Sequence, residues 1–336
     1  MTLFPTSPII DLEPSILRQW ALPMPDHGGD KEERGRLLII GGSCEIPGAV
    51  LLAAHAALRA GVGKLAIAVG GSIATQIAMQ IPEARVIALP ETEQGGIAVD
   101  AAKTLAPLAR KIDAVLIGPG MQDEAAICRF VRALMPHFPE ARFVLDANAM
   151  GVVRGEATSP EEPRCFAEGS DLPLADTLRD IGPRGDSSDE EATFRFSRPV
   201  LLTPHAGEMA HLTGIDKATV QQEPADTACE AASRWNAVVA LKGATTVIAH
   251  PDGRQWRHEG GNIGLATSGS GDTLAGIIGG LAARGAELEQ ACSWGVALHA
   301  AAGERLAKRI GLLGYMAREI PDEIPALLTE FGSAQD

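Results

Sequence analysis

The chain has 336 residues and a formal net charge of −14 at pH 7. This surplus of negative charge excludes nucleic acids and anionic membranes as expected partners, because both would be repelled before a specific contact formed. Hydrophobic residues make up 46% of the chain and aromatic residues only 4%, which favours an α/β protein with helices packed closely on a sheet.

The first 35 residues are rich in Pro and then in charge, which predicts an extended lead-in to the folded domain. Their start, MTLFPTSPIIDLEP, lacks a basic region followed by an apolar stretch. No apolar run in the chain reaches the roughly 18 residues that a membrane span needs. The five cysteines form no CxxC pair and are expected to be reduced thiols. We therefore expect a soluble cytoplasmic protein.

The next part of the chain alternates short apolar runs with helix-length segments. The apolar runs are bounded by Gly, Pro or Asp and predict buried strands at 36–40, 64–69, 85–89, 114–118 and 143–146. The segments between them predict helices at 49–60, 72–80, 100–110 and 124–135. This alternation is typical of βαβ crossovers, so we expect a mostly parallel sheet whose ligands lie at the carboxyl ends of the strands.

Residues 154–198 interrupt the pattern with acidic, Pro-, Gly- and Ser-rich sequence, which predicts an insertion within a single domain spanning 36–335. Strands are predicted again at 199–203, 238–242 and 246–250. Helices are predicted at 206–213, 217–235, 273–284 and 287–309. The Ala-rich helices also leave room for subunit packing, and a homo-oligomer is expected.

Small or polar residues follow several of these strands. They are Gly41-Gly42-Ser43, Gly118-Pro119-Gly120, Asp146-Ala147-Asn148, Thr203-Pro204-His205 and Lys242-Gly243-Ala244-Thr245-Thr246. In a parallel sheet all of them open on the same rim. Lys242 and the residues after it offer a cation and several donors to nucleotide phosphates, although a solvated strand-end lysine would look the same. In the structural alternative Thr203 simply caps the next helix and Glu208 simply favours the helix dipole. In the functional alternative Glu208 holds a hydrated Mg²⁺ and His205 contacts substrate.

The most informative segment is GNIGLATSGSGD at 261–272, which comes directly before a predicted helix. The free N–H groups and the positive dipole end of that helix would lie beside Gly269, Ser270 and Gly271 and attract phosphate. Asp272 would repel such an anion unless it faced another group, such as a substrate hydroxyl. The arrangement describes phosphoryl transfer with Asp272 as general base, while ordinary capping by Ser and Asp is the alternative for this segment alone.

With these segments in this order, the chain resembles the ADP- or ATP-dependent NAD(P)H-hydrate dehydratase family. The resemblance covers about 35–310 except the insertion, and it rests on GRLLIIGGSCEIPGAVLLAAHAALRAGVGKLAIAV (35–69), IGPGM (117–121), LDANAM (145–150), LLTPHAGEMAHLTG (201–214), VALKGATTVI (239–248) and GNIGLATSGSGDTLAGIIGGLAARG (261–285). It implies a three-layer ribokinase-like fold with a central, mostly parallel sheet flanked by helices. Asn148 and Ser268 stand where the family often has Asp and Gly.

The activity that the resemblance implies is repair of the S form of NADH or NADPH hydrated at C6 of the nicotinamide (NADHX or NADPHX). ADP or ATP with Mg²⁺ would phosphorylate the C6 hydroxyl, and loss of phosphate would restore the dihydropyridine. Asp272 would take the hydroxyl proton, and Gly269, Ser270 and Gly271 would form the anion hole. The hydrated cofactor would contact Ala49, Gly120, His205 and Asp272, and the adenine nucleotide would contact Lys242, Gly243, Ala244, Thr245, Thr246 and Gly271.

Two other functions are alternatives to this activity. A small-molecule kinase acting on a hydroxyethylthiazole or hydroxymethylpyrimidine would use Asp272 and the anion hole on another alcohol. A nucleotide-binding sensor without turnover would have no use for a carboxylate at Asp272. The epimerase domain that some relatives carry is expected on a separate protein, because residues 1–35 leave no room for it.

Overall fold

The computed structural model describes residues 8–25, 33–154 and 194–333, and ten strands and eleven α-helices lie within these ranges. The strands are β1 (Ile10–Asp11), β2 (Arg36–Ile40), β3 (Lys64–Gly70), β4 (Arg85–Leu89), β5 (Ala114–Ile117), β6 (Arg142–Leu145), β7 (Val200–Leu202), β8 (Ala237–Leu241), β9 (Thr245–Ala249) and β10 (Gln255–Glu259). The α-helices are α1 (Pro14–Gln19), α2 (Gly48–Arg59), α3 (Ala74–Gln80), α4 (Ala101–Leu105), α5 (Glu124–Leu134), α6 (Ala206–Thr213), α7 (Lys217–Gln222), α8 (Pro224–Trp235), α9 (Ser270–Ala283), α10 (Leu288–Arg309) and α11 (Ile320–Gly332).

All ten strands form one sheet in the order β1-β10-β9-β8-β7-β6-β5-β2-β3-β4. Neighbours from β8 to β4 are parallel, whereas β9 pairs antiparallel with both β8 and β10. Successive residues of a strand point to opposite faces, so Leu37 and Ile39 of β2 belong to one core and Leu38 and Ile40 to the other. The first core contains α2, α9, α10 and α11, and the second contains α5 and α8. The architecture is therefore a mostly parallel sheet between two helical layers, as predicted.

The eight strands predicted from apolar runs are all present, and no end moves by more than one residue. Two further strands were not predicted, because β1 has only two residues and the sequence of β10, QWRHE, is largely polar. The prediction of a single helix over 217–235 is wrong, because the helix is interrupted at Glu223, before Pro224, and two helices form. A residue before Pro is pushed out of the helical region, and Glu223 accordingly has φ −125° and ψ 55°. The helix predicted over 100–110 is α-helical only to Leu105 and continues as a 3₁₀-helix over Ala106–Lys111.

Residues 8–25, expected to be an extended lead-in, are built into the fold. β1 pairs with β10, and Leu17 of α1 is completely buried. The ring of Trp20 stacks on Trp256 at 5.5 Å between centroids, and the carbonyl of Trp20 accepts a hydrogen bond from Trp294 Nε1. The N-terminal segment thus covers the antiparallel edge of the sheet. The helix α11, also not predicted, contributes Ile320, Ile324 and Leu327 to the same core.

The Ala-rich helices pack against each other inside the chain. A Cβ added to Gly276 of α9 would lie 2.2 Å from the carbonyl oxygen of Ala53 in α2, so these two helices touch through their backbones. Apart from Gly271 and Asp272, every residue of α9 is buried. Helix α9 therefore has almost no free surface for a subunit interface, and the homo-oligomer remains a prediction. Among the described helices, none combines the length and the apolar character required to cross a membrane.

Candidate active site

The loops after β2, β5 and β6 meet at the carboxyl end of the sheet. Gly42 N–H donates to the carbonyl of Pro119 at 2.7 Å, which joins the first two loops. Gly120 has φ +67°, and a Cβ at this position would lie 2.5 Å from the carbonyl oxygen of Ile46 and 2.8 Å from Cβ of Ala49. Because Ala49 is only 4% exposed and lies in the first turn of α2, it offers a ligand mainly its backbone N–H. Ala49 and Gly120, assigned to substrate by resemblance, are thus neighbours on one wall of the rim.

The segment 261–272, which we call the anion loop, turns into α9 at a residue with left-handed backbone conformation. Gly269 is the N-cap with φ +85°, so the helix begins at Ser270 and not at Thr273 as predicted. Asp272 consequently lies within the first helical turn. The N–H of Ser270 donates to the carbonyl of Thr267 at 3.2 Å, whereas no carbonyl of the described residues accepts from the N–H groups of Gly271 and Asp272. These two N–H groups are therefore the free donors at the positive end of the helix.

A buried network links Asp146, Thr203 and Lys242, which follow three adjacent strands. Thr203 Oγ1 donates to Asp146 Oδ1 at 2.6 Å, and Lys242 Nζ lies 3.5 Å from the same oxygen. The side chain of Lys242 is 21% exposed, so the alternative of a solvated strand-end lysine is wrong. Burial lowers the pKa of Lys242, but Asp146, Glu208 and Asp272 outweigh it and leave the pKa raised. Lys242 is therefore a fixed ammonium charge at the rim.

The Lys242 ammonium also faces the first turn of α9. A Cβ added to Gly271 would lie 3.5 Å from Lys242 Nζ. Burial raises the pKa of Asp272 to about 7, with Asp146 and Glu208 acting in the same direction and Lys242 opposing them. Within the described residues, no hydrogen bond reaches the Asp272 carboxylate, which agrees with a group kept for a ligand. A carboxylate with a pKa near 7 is suited to accept a proton at neutral pH.

His205 and Glu208 form the capping box of α6. His205 Nδ1 accepts from the N–H groups of Gly207 and Glu208 at 3.0 and 3.2 Å, and Glu208 Oε2 accepts from the N–H of His205 at 2.8 Å. Glu208 lies in the first turn of α6, as the helix-dipole alternative expects, whereas capping by Thr203 is wrong, because His205 is the N-cap and Thr203 bonds Asp146. With Nδ1 used as acceptor, the proton of a neutral His205 is on Nε2. This atom lies 3.7 Å from Glu208 Oε2, beyond hydrogen-bond distance, and the exposed side chain can donate to a ligand.

The donor set at the rim fits Mg²⁺ only in part. In residues 8–25, 33–154 and 194–333, no three His, Cys, Asp or Glu side chains are grouped to hold a metal ion. Mg²⁺, however, keeps several waters and takes one or two protein carboxylates together with substrate phosphates. Glu208 has one carboxylate oxygen outside the capping bond, which fits such a hydrated ion.

The remaining residues assigned to the nucleotide by resemblance lie on the hairpin formed by β8 and β9. Gly243 and Ala244 form its exposed turn, and Thr245 and Thr246 begin β9 opposite Glu259 and His258 of β10. Lys242 N–H donates to the carbonyl of Pro204 at 2.8 Å, so this hairpin adjoins the loop that carries His205. The site residues predicted from the sequence therefore lie along one rim of the sheet, on loops, in the first turns of α2, α6 and α9, and at the start of β9.

One buried polar residue beneath the anion loop was missed. His299 of α10 is 8% exposed, and its Nε2 lies 3.1 Å from Ser270 Oγ and 3.2 Å from the carbonyl oxygen of Ser270. Burial lowers the pKa of His299 to about 4, and the charge of Lys242 acts in the same direction. Its only sequence signal is a histidine inside the apolar run GVALHAAAG at 295–303.

Comparison with known proteins gives consistent matches along most of the chain. A family model described as NAD(P)H-hydrate dehydratase matches residues 37–166 and 185–326. The ADP-dependent (S)-NAD(P)H-hydrate dehydratase of Xanthomonas campestris is 46% identical over 308 residues, which are 92% of this chain and 93% of that protein. The bifunctional NAD(P)H-hydrate repair enzyme Nnr of Moorella thermoacetica is 36% identical over 91% of this chain, which spans 52% of its length.

Solved structures agree with the sequence matches. The crystal structure of the ADP/ATP-dependent NAD(P)H-hydrate dehydratase from Bacillus subtilis, co-crystallised with ATP and Mg²⁺, has a TM-score of 0.73 and 28% identity and covers 96% of this chain and 99% of its own. A ribokinase-like superfamily protein from Enterococcus faecalis has a TM-score of 0.73 at 21% identity, with 98% of both chains covered. The predicted ribokinase-like fold is therefore confirmed.

Proposed function

The chain belongs to the NAD(P)H-hydrate dehydratase family, and on that premise we propose that it dehydrates the S form of NADHX and NADPHX at the expense of ADP or ATP. The observation that carries the proposal is the position of Asp272. Its carboxylate lies in the first turn of α9, beside the free N–H groups of that turn and close to the Lys242 ammonium. Phosphate binding alone requires no carboxylate there, whereas activation of an alcohol requires a base.

In the first step the C6 hydroxyl oxygen of the hydrate forms a bond to the terminal phosphorus of the nucleotide. The bond from that phosphorus to the bridging oxygen breaks, and Asp272 accepts the hydroxyl proton. The N–H groups of Gly271 and Asp272 stabilise the negative charge on the phosphoryl oxygens, as donors fixed in place before reaction. Lys242 holds the nucleotide phosphates, with the turn at Gly243–Ala244 and the Thr245 and Thr246 side chains beside it.

In the second step the C6–O bond breaks and phosphate leaves with the bonding electrons. Loss of a proton from C5 then restores the C5=C6 double bond of the dihydropyridine. Ala49, Gly120 and the Nε2–H of His205 hold the hydrated ring during both steps. Mg²⁺, when bound, neutralises phosphate charge, and Glu208 would hold it through water.

The direct test is to incubate the purified chain with the S form of NADHX, Mg²⁺ and either ADP or ATP. The near-ultraviolet absorbance of the dihydronicotinamide should rise only when nucleotide is present, and the better nucleotide identifies the preferred phosphoryl donor. The R form serves as the matched control and should react only after it epimerises. A flat trace from folded protein that binds ADP would contradict dehydration and favour a kinase of another alcohol.

A variant separates catalysis from binding. Asp272→Asn should lose turnover by several orders of magnitude, because an amide cannot accept the proton, while it still binds ADP with Mg²⁺. An Asp272→Asn protein with normal turnover would remove Asp272 from the reaction.

The need for the S form also implies a second activity that converts the R form, and we propose an epimerase as the functional partner. Relatives named as bifunctional repair enzymes support this proposal, since the chain spans about half of their length. Addition of an epimerase to the assay should extend the reaction from half of a mixed R and S sample to all of it.

A further inference from the structure

A buried histidine lies directly behind the anion loop, on a helix that supplies none of the site residues named above. His299 belongs to α10, and its neighbours Leu298 and Ala300 are buried apolar residues. Burying an imidazole costs free energy unless its polar atoms are hydrogen-bonded. The partner of Nε2 is Ser270, whose side-chain oxygen and carbonyl oxygen lie 3.1 and 3.2 Å away.

The two contacts together decide where the proton of His299 lies. A carbonyl oxygen only accepts hydrogen bonds, so the approach of Nε2 to the carbonyl of Ser270 is attractive only if Nε2 carries the proton. Burial together with the Lys242 charge keeps the ring neutral, so Nδ1 then has no proton. Nε2–H is therefore shared between two acceptor oxygens of Ser270.

This assignment has a consequence for the Ser270 hydroxyl. When Ser270 Oγ accepts from Nε2–H, its own proton must point away from the imidazole. No other acceptor for Ser270 Oγ is found among the described residues. Because the N–H of Ser270 is already bonded to Thr267, the hydroxyl is the one donor that Ser270 has left for an anion in the loop.

We propose that His299 is a positioning residue for phosphoryl transfer, which holds Ser270 so that the Ser270 hydroxyl donates to the transferring phosphoryl group. The proposal rests on the proposed function, because it assumes that this group is held at the first turn of α9. His299 itself contacts neither substrate nor nucleotide. It acts only through Ser270.

Two substitutions distinguish positioning from simple packing. In His299→Gln the side-chain amide reaches about as far as imidazole Nε2 and still donates, whereas in His299→Asn the amide is one methylene shorter and falls short of Ser270. Both variants place an uncharged amide in the same cavity. We expect kcat of His299→Asn to fall by about 10-fold or more with the KM for nucleotide nearly unchanged, and His299→Gln to recover most of the loss.

The decisive measurement is a double-mutant cycle with Ser270→Ala. If His299 acts through the hydroxyl, His299→Asn should cause no further loss of kcat in the Ser270→Ala background. Thermal unfolding and binding of ADP with Mg²⁺ are measured for each variant. An equal fall of kcat in both His299 variants, additive with Ser270→Ala and accompanied by a lower Tm, would show a structural role and overturn the proposal.

The failure of this proposal is distinguishable from failure of the proposed function. A wild-type protein that does not dehydrate NADHX would refute both. An active wild type whose kcat is unchanged by Ser270→Ala would refute only the role of Ser270 and His299.

Discussion

Asp272→Asn should make the protein more stable at neutral pH while it abolishes activity. Burial and the nearby Asp146 and Glu208 raise the pKa of Asp272 from 3.8 to about 7. A carboxyl whose pKa is raised in the folded state binds more protons there than in the unfolded chain, so stability falls as pH rises between these two pKa values. At pH 8 the folded protein carries the full cost of a buried carboxylate, whereas below pH 4 that cost is absent.

The size of the effect follows from the shift in pKa. Each pKa unit corresponds to 1.36 kcal/mol, so a shift of about three units costs about 4 kcal/mol at pH 8. At a pH between the two pKa values, only the pH units above 3.8 contribute to the cost of the buried carboxylate. At pH 5 this cost is about 1.5 kcal/mol. Because Asn carries no charge, the free energy of unfolding of Asp272→Asn should exceed that of the wild type by these amounts.

Urea denaturation of both proteins at pH 5 and pH 8 measures the difference. Asp252→Asn is the control of opposite sign: burial raises the pKa of Asp252, but hydrogen bonds from Arg254 and His250 together outweigh it and lower the pKa to about 2. This variant should be less stable than the wild type at pH 8 and should keep its activity. If Asp272→Asn proved no more stable than the wild type at pH 8, the carboxylate would not be desolvated and the account of its raised pKa would be wrong.

Three further predictions concern turnover and binding. First, kcat/KM should fall about 10-fold per pH unit below about pH 7, because Asp272 must be ionised to accept a proton. Initial rates with the hydrated cofactor measure this fall, and a kcat/KM that begins to fall only below about pH 5 would contradict the prediction. Second, Gly269→Ala should lose most activity, because the new Cβ would lie 2.4 Å from Leu52 Cδ1 at φ +85°, whereas Gly214→Ala at φ +76° meets open space and should lose only stability, by about 1 kcal/mol. Third, Lys242→Met should weaken ADP binding in calorimetry. It should also move the fall of kcat/KM at acid pH to higher pH, because the charge of Lys242 lowers the pKa of Asp272; an unchanged pH profile would show that Lys242 does not act on Asp272.

Most of the fold was predictable because its central strands are buried on both faces. Such strands are continuous apolar runs, as in RLLII of β2, and are visible without knowledge of their partners. Strand β10, next to the edge of the sheet, was not predictable, because it is not buried along its whole length and its sequence is not a continuous apolar run. Trp256 in QWRHE is buried with Trp20 stacked on it, and the sequence does not show that a segment so distant along the chain covers this strand.

The start of α9 shows a different limit of sequence reasoning. Gly-Ser-Gly was interpreted as a turn before the helix, but Gly269 alone takes the left-handed conformation and Ser270 and Gly271 are helical. One residue with positive φ is enough to reverse the chain, and the sequence does not tell which glycine supplies it. The shift of three residues matters for the proposed chemistry, because it moves Asp272 into the first turn, beside the N–H groups that are free to accept an anion.

The charged and polar groups around Asp272 were the least predictable part of the site, because their contacts join residues that are far apart in the sequence. Thr203 and Asp146 are 57 positions apart and Ser270 and His299 are 29 apart, so only the fold brings these pairs into contact. Asp146 alone would be a buried, uncompensated charge, and Lys242 alone would be expelled to solvent; each fixes the other. Burial raises the pKa of Asp272 to about 7; once fixed, Asp146 adds to this rise and Lys242 opposes it. Among the described groups that act on Asp272, the carboxylates of Asp146 and Glu208 outnumber the Lys242 ammonium, so we expect polyphosphate binding here to need the free N–H groups of α9 and a divalent cation to offset the remaining negative charge.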